Sequence, residues 1–340
     1  MDNNISSIKE YLVSVKNLKK YYPLKKGVLS RISGYLKAVD NITFSIKKGE
    51  ILGLVGESGC GKTTVGRCIL RLVEPTEGYI WFNGADITNL KGIKLREIRK
   101  NMQIVFQDPD SSLNPRMSVG AIIGEALQIH HIATGKQKSE RIRELLSVVG
   151  LEPNHMNRYP HEFSGGQKQR IGIARAIALN PKFIIADEPV SALDVSIQAQ
   201  IINLLYDLQE LYGLTYLFIA HDLSLVRHIS DRVIVMFQGK IVEIASTVKL
   251  FEDPKHPYTQ FLLASVPIPD PSVKREKYVV NKEIDTDDYQ IKGCYFYKRC
   301  PCGMDVCKDI QPELQDLGNG HFVACHIAET AHSNISENNI

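Results

Sequence analysis

The chain has no apolar run long enough to span a bilayer: nowhere do about 18 or more predominantly apolar residues follow one another. It has little excess charge. The 41 Lys and Arg stand against 38 Asp and Glu, a net +3, and this balance does not support the clustered positive charge that nucleic-acid binding needs. Residues 1–10 are mostly polar, carry Asp2, Lys9 and Glu10, and lack the charged-then-apolar form of a secretory signal. The expectation is a chain made and kept in the cytoplasm, reaching a membrane through a partner. Internal repeats are also missing. Cysteine is absent from the long middle of the chain: Cys60 and Cys68 lie early, and Cys294, Cys300, Cys302, Cys307 and Cys325 crowd the last fifty residues. In a reducing compartment such a cluster is more often metal-binding than disulfide-bonded.

What is present is ordinary globular material, 44% hydrophobic and 23% charged over 340 residues, enough for two or three domains. Residues 11–15 and 42–46 alternate apolar and polar positions, which predicts half-buried strands. Residues 50–55 (EILGLV) form a short apolar run that reads as a buried parallel strand. Helical spacing follows over residues 62–72. Residues 117–150 read mostly as helix, with Ile122, Ile123, Leu127, Leu145, Leu146 and Val149 as its apolar set. Strands are predicted over 182–186, 216–220 and 233–237, with a helix over 197–211. Alternating strand and helix favours a mainly parallel sheet. Beyond Ala245, Pro254, Pro257, Pro267, Pro269 and Pro271 break regular structure, and residues 274–290 are a polar linker to a small cysteine-bearing tail.

Gly56-Glu57-Ser58-Gly59-Cys60-Gly61-Lys62-Thr63-Thr64 fits the phosphate-loop pattern G-x-x-x-x-G-K-[ST]. Its glycines let successive N–H groups face one phosphate, and the following helix aims its positive dipole end at the same anion. Lys62 carries a charge to the β- and γ-phosphates, and the Thr63 hydroxyl suits Mg²⁺. A chance glycine-rich turn is the plain alternative, but a strand before and a helix after supply the context the motif requires. Cys60 reads as a small residue without chemistry rather than as a redox switch.

Residues 183–188 (FIIADE) form an apolar strand ending in two acids, and strand ends are where such sheets bind ligands. Asp187 would hold Mg²⁺ through water, and Glu188 would act as general base on the attacking water. Ser164-Gly165-Gly166-Gln167 opens a helix over 168–179, with Ser164 as its N-cap. This is a second anion site on the chain. One nucleotide does not need two, so the second would serve a nucleotide held by another subunit.

These motifs stand in an order that resembles the ATP-binding-cassette ATPases: the phosphate loop, Gln107, an LSGGQ-like stretch at residues 163–167 with Phe163 for leucine, Asp187 and Glu188, Ser191-Ala192-Leu193-Asp194, and His221. The resemblance implies an α/β fold of the cassette type, with a mainly parallel core sheet, an antiparallel β subdomain, a helical insertion and a small C-terminal cysteine-rich domain. The boundaries it implies are 11–115 and 160–250 for the core with the β subdomain, 116–159 for the helical insertion, 251–330 for the C-terminal domain and 331–340 for a frayed tail. It implies that Gln107 senses Mg²⁺ and the γ-phosphate, that His221 binds the γ-phosphate and steadies Glu188, that residues 191–194 run across a dimer interface, and that Tyr22 stacks on adenine. Tyr21 is its neighbour, and either ring could instead be a core residue.

Further strings narrow the resemblance. Gln107-Asp108-Pro109 with residues 111–117 (SSLNPRM), residues 159–163 (YPHEF), residues 189–196 (PVSALDVS) and His256-Pro257-Tyr258 are similar to the ATPases of dipeptide and oligopeptide importers. Gln167 and Val190-Ser191 look like their F type. This implies a D-type partner ATPase, two membrane permeases, an extracytoplasmic peptide-binding protein, no nucleic acid, and a peripheral position on the cytoplasmic face of the membrane. Nickel importers share much of the pattern, and a soluble cassette protein working as a switch is the rival class.

Cys294, Cys300, Cys307 and Cys325 could hold a [4Fe–4S] cluster or a zinc ion, or remain free or disulfide-linked. Their wide gaps count against zinc. The tail resembles importer ATPases that carry a [4Fe–4S] cluster at these four positions. Cys302 is an extra thiol that could substitute for Cys300 or stand by. His321 and His326 read as surface histidines.

Overall fold

The structure, a computed structural model, describes residues 11–26, 31–265 and 292–328. The linker expected at 274–290 and the frayed tail expected at 331–340 lie outside the described residues. In chain order the elements are β1 (Tyr11–Lys26), β2 (Arg31–Lys47), β3 (Ile51–Val55), α1 (Lys62–Ile69), β4 (Glu77–Phe82), β5 (Ala85–Asp86), α2 (Gly92–Arg99), β6 (Met102–Val105), α3 (Pro109–Ser112), α4 (Val119–Ile129), α5 (Gly135–Val148), α6 (Gly165–Ile177), β7 (Phe183–Asp187), α7 (Val195–Tyr212), β8 (Thr215–Ala220), α8 (Leu223–Ile229), β9 (Arg232–Phe237), β10 (Lys240–Ser246), α9 (Thr247–Glu252), α10 (Pro257–Ala264), α11 (Val306–Asp309), β11 (Gln315–Asp316) and β12 (Phe322–Val323). They fall into two compact units, one within Met1–Ser14, Ser45–Ile51 and Trp81–Ile219, the other within Val15–Phe44, Leu52–Ile80 and Ala220–Ile340.

The first unit is built on parallel strands. β6 pairs with β7 (Val105 opposite Ala186), and β7 pairs with β8 (Asp187 opposite Ile219). β7 and β8 are apolar and wholly buried, as strands covered on both faces must be. Helices α4 to α6 pack together beside them, with Ile122, Ile123, Leu127, Leu145, Leu146 and Val149 in their core. The continuous helix expected over 117–150 is interrupted, because His131 takes a left-handed φ of 52° and ends the first helix. α6 starts at Gly165, earlier than expected, because Ser164 and Gln167 cap it reciprocally.

The second unit carries β3 parallel to β9 (Leu54 opposite Ile234). β10 returns antiparallel to β9, β12 pairs with β10, and β11 with β12. The tail is thus stitched to a sheet edge, Glu243 lying opposite Val323. In the same unit β2, β1 and β4 lie side by side in that order. β1 and β2 outrun the alternating stretches at 11–15 and 42–46, because Lys19–Lys25 and Ile32–Lys37 are exposed or half-exposed throughout and bury no continuous face. α1 stops at Ile69, not near residue 72, since Arg71 is left-handed with φ 57°. Over residues 246–265 the stretch after Ala245 is more regular than expected, while Pro267, Pro269 and Pro271 lie outside the described residues. Pro257 stands at the first turn of α10, the one helical place where its missing N–H costs nothing.

Candidate functional site: a phosphate cradle, an acid pair and a cysteine cavity

In the second unit, β3 delivers the chain into the phosphate loop and α1 leaves it. α1 is capped by Gly61 at φ 106°, with no side-chain cap, and a helix start is a place where an anion can be received. Glycine is obligatory at two points. A Cβ on Gly56 would lie 2.1 Å from the Met236 carbonyl oxygen, and one on Gly61 would lie 2.0 Å from that of Ala38. Lys62 is 4% exposed. Its Nζ donates to the carbonyls of Gly56 (2.8 Å) and Glu57 (3.0 Å). Cys60 is buried, and burial raises its thiol pKa, which suits an inert thiol better than a reactive one. Of the two adjacent tyrosines, Tyr21 donates to buried Asp40, while Tyr22 is the more exposed ring, with Lys20 Nζ above it at 4.9 Å. His221 follows β8 directly and is exposed.

In the first unit, parallel pairing of β6 and β7 brings Gln107 and Glu188 together just past their C-terminal ends. Gln107 Nε2 donates to Glu188 Oε2 at 2.9 Å. Asp187 is 4% exposed at the end of β7. Glu188 sits in left-handed conformation, φ 46°, an unusual state for a non-glycine residue that is often kept at functional positions. Its N–H donates to the Ile219 carbonyl (3.0 Å), and its own carbonyl accepts from Ser191 Oγ (3.1 Å). The acid is therefore fixed at backbone and side chain.

α6 opens differently. Ser164 Oγ accepts from the Gln167 N–H (3.4 Å), and Gln167 Oε1 accepts from the Ser164 N–H (3.0 Å). Ser164 and Gly165 are exposed. A Cβ on Gly166 would meet Ile197 Cγ2 at 2.5 Å, and one on Gly165 would meet Leu193 Cδ2 at 3.3 Å. Residues 191–197 therefore pack against the helix start. Asp194 and Val195 beside it face outward, Val195 at 81% exposure.

The tail encloses a cavity lined by Cys294, Cys300, Cys307 and Cys325, with Phe296 and His326. Cys302 is exposed and not on its wall, its Sγ 3.7 Å from that of Cys300. All these cysteines are free thiols. Burial pushes Cys294 up to about 11 and Cys300 up to about 12, and raises Cys325. Among the described residues, no three or more His, Cys, Asp or Glu are arranged to hold a single metal ion. His321 is buried, against expectation: its Nε2 lies 2.7 Å from Oε1 of Glu243, itself 0% exposed. The same carboxylate accepts from the N–H groups of Lys255 and His256. An interior carboxylate needs such partners, and no local signal around residue 321 announces them. His326 is half-exposed, its Nε2 3.1 Å from the Ile310 carbonyl.

Sequence reasoning also missed Arg299, Tyr295 and Tyr258. Arg299 forks onto Glu57, Tyr295 donates to Asp40, and the Tyr258 hydroxyl accepts from the Glu57 N–H. The string His256-Pro257-Tyr258 was visible, but its target was not.

A glycine cradle with a buried lysine in one unit and a parallel sheet ending in an acid pair in the other are the marks of one class, the phosphate-loop nucleoside triphosphatases. The comparisons make this specific. The family described as "ABC transporter" matches residues 39–191, and the one described as "Oligopeptide/dipeptide transporter, C-terminal region" matches residues 242–307. The chain is 55% identical to the "Oligopeptide transport ATP-binding protein AppF" of Bacillus subtilis, over 94% of this chain and 98% of that protein. It is 51% identical to the "Oligopeptide transport ATP-binding protein OppF" of the same organism, over 94% and 98%, and 52% identical to a "Putative peptide import ATP-binding protein" of Brucella ovis, over 92% and 97%. Among solved structures it is similar to the dimeric cassette MJ0796 bound to ADP and Pi, with TM-score 0.62, 32% identity, and 69% and 98% of the two chains covered. The cbiO1 cassette of Clostridium perfringens gives TM-score 0.62 at 27% identity, over 72% and 92%. The chain belongs to the ATP-binding-cassette transporter ATPases, and it is an ATP hydrolase of that family.

Proposed function

We propose that the chain powers import of dipeptides or oligopeptides as an F-type ATPase subunit, paired with a D-type ATPase, two permeases and an extracytoplasmic peptide-binding protein. It would work peripherally, on the cytoplasmic face of the membrane. Among the described residues no helix is long and apolar enough to cross a membrane, so attachment through the permeases suits it. The peptide assignment is supported by the match of residues 242–307 and by the names of the relatives.

Each ATP is held between the phosphate loop of one subunit and the Ser164–Gln167 helix start of the other. The observation that carries this reading is the outward-facing, already capped start of α6 with exposed Asp194 and Val195 beside it. The cradle at Gly56, Ser58, Gly59, Cys60, Gly61 and Lys62 takes the phosphates, with Thr63 and Thr64 opening α1 under them. Thr63, Gln107 and Asp187 serve Mg²⁺, and Tyr22 stacks on the adenine. Glu188 is the general base, and its position is supported by the Gln107 amide and two backbone bonds. His221 steadies Glu188 and the water. The reaction itself is mostly positioning and charge stabilisation. Hydrolysis removes the anion shared by two subunits, and the dimer opens. For the subdivision we propose a core over 11–115 and 160–250, a helical insertion over 116–159 that meets a permease, and an importer-specific domain over 251–330.

Glu188→Gln is expected to keep ATP binding, cut turnover at least about a hundredfold, and trap a closed dimer on size-exclusion chromatography with ATP. Turnover at the normal rate would refute the assignment of the base.

The cysteine cavity fits an iron–sulfur cluster in kind. Four free thiols share its wall, and a [4Fe–4S] cluster takes four thiolates held farther apart than those around a single ion. Cys294, Cys300, Cys307 and Cys325 would hold it. Anaerobically purified protein is expected to contain iron and to absorb broadly in the visible range, and Cys307→Ser to lose both. Colourless, iron-free protein would refute the cluster, and stoichiometric zinc would replace it.

A further inference from the structure

Residues 294–300 of the tail face two ways. Cys294, Phe296 and Cys300 line the cavity. Between them, Tyr295 and Arg299 reach two acids of the nucleotide-binding part of the same unit. The Tyr295 hydroxyl donates to Asp40 Oδ2 at 2.9 Å, and Arg299 donates to both oxygens of Glu57, Nη1 to Oε2 at 2.8 Å and Nη2 to Oε1 at 2.7 Å. Glu57 is the second residue of the phosphate loop. Its backbone is held as well: the N–H donates to the Tyr258 hydroxyl at 2.9 Å, and the carbonyl accepts from Lys62 Nζ at 3.0 Å. The guanidinium is itself seated among three rings, 5.6 Å from Phe237, 5.3 Å from Phe261 and 5.6 Å from Phe296, and the Arg299 side chain is 13% exposed.

We infer that Arg299 is a positioning residue for ATP binding: through Glu57 it fixes the first turn of the phosphate loop and the carbonyls on which Lys62 rests. A planar fork on a carboxylate fixes direction as well as distance, which a lysine cannot do. A loop already held in place loses less conformational freedom when it closes on phosphates. This gives the importer-specific C-terminal region a task inside the nucleotide site. Arg299 belongs to the matched stretch 242–307, and Glu57 to the matched stretch 39–191.

The inference rests on residues 56–64 being the ATP site, so Lys62→Ala is measured in parallel. The full-length chain is titrated with a fluorescent ATP analogue, and the assembled transporter is assayed for ATP hydrolysis. Arg299→Ala is expected to weaken nucleotide binding and raise KM about tenfold, the scale of losing one side of a charge-assisted pair, with kcat within about twofold of wild type. Arg299→Lys is expected to fall between the two. Glu57→Ala should match Arg299→Ala, and the double variant should be no weaker than either single one, because the residues act as one unit. Wild-type affinity in Arg299→Ala, or single effects that add, would overturn the inference. If Arg299→Ala does not fold, Glu57→Ala, which leaves the aromatic seat of Arg299 in place, carries the test: weakened affinity supports the inference and wild-type affinity overturns it. If Lys62→Ala also binds ATP normally, the site itself was misassigned. If Lys62→Ala loses ATP while Arg299→Ala keeps it, the role of Arg299 alone falls.

Discussion

The chain has two glycine-bearing helix starts, and they are built in opposite ways. α1 has no side-chain cap, its lysine is buried, and glycine is enforced at residues 56 and 61 by backbone carbonyls of Met236 and Ala38. α6 is capped reciprocally by Ser164 and Gln167, faces outward, and meets only side chains, those of Leu193 and Ile197, at its two glycines. A Cβ that strikes a carbonyl cannot be relieved without moving main chain, whereas one that strikes an isoleucine methyl can be relieved by a rotamer. The first start is a cradle whose shape is set by main chain and which carries no side-chain cap. The second is closed by its own side chains, with Ser164 and Gly165 exposed.

That contrast is open to breaking. Gly61→Ala carries the largest expected effect. With φ at 106° and the Ala38 carbonyl in the way, ATP binding by the isolated chain should fall at least about a hundredfold, as read by nucleotide titration. Near-normal affinity would show that the cradle can rearrange.

Ser164→Ala should act in two separable ways. Losing the cap costs about 1 kcal/mol, a fall of roughly 2–4 °C in Tm. ATP binding by the isolated chain should be unchanged, while turnover of the assembled transporter falls more than about tenfold, as for removal of one transition-state donor. Reduced affinity in the isolated chain would mean that the helix start serves its own subunit's nucleotide, and the contrast would dissolve.

The smallest effect concerns acid. His256 is buried, and burial lowers its pKa from 6.5 to about 4 although Glu243 opposes the shift. The unfolded chain therefore takes up this proton first as pH falls. The contribution is complete above about pH 6.5 and is lost between there and about pH 4, at most roughly 3 kcal/mol. Hydrogen exchange should accordingly speed up in β9 and β10 before β7 and β8 over that range. His256→Asn, which can still accept from the Tyr258 N–H as the imidazole Nδ1 does at 3.0 Å, should flatten the difference. Equal acid sensitivity in both units would remove His256 as its source.

Local pattern carried much of this protein into view. The strand, glycine loop and lysine-bearing helix at 51–69 follow from residues within one short window. So do the acid pair ending β7, the Ser164 cap, and the apolar set of α4 and α5. Each depends on neighbours a few positions away, where periodicity and turn chemistry act. Element ends were harder, because a left-handed residue such as Arg71 or His131 stops a helix without changing its apolar period.

By itself, then, the amino-acid order determined the family and the class of nucleotide chemistry, and it named candidate residues for that chemistry. Tertiary structure alone decided which of two adjacent tyrosines turns inward to Asp40, that His321 is buried on Glu243, that four tail thiols share a cavity while Cys302 does not, and that Arg299 grips a phosphate-loop residue 242 positions away. Such pairings are set by how sheet edges and helices meet in space. A charge on a polar stretch looks the same in sequence whether its partner is water or a carboxylate from the other end of the chain.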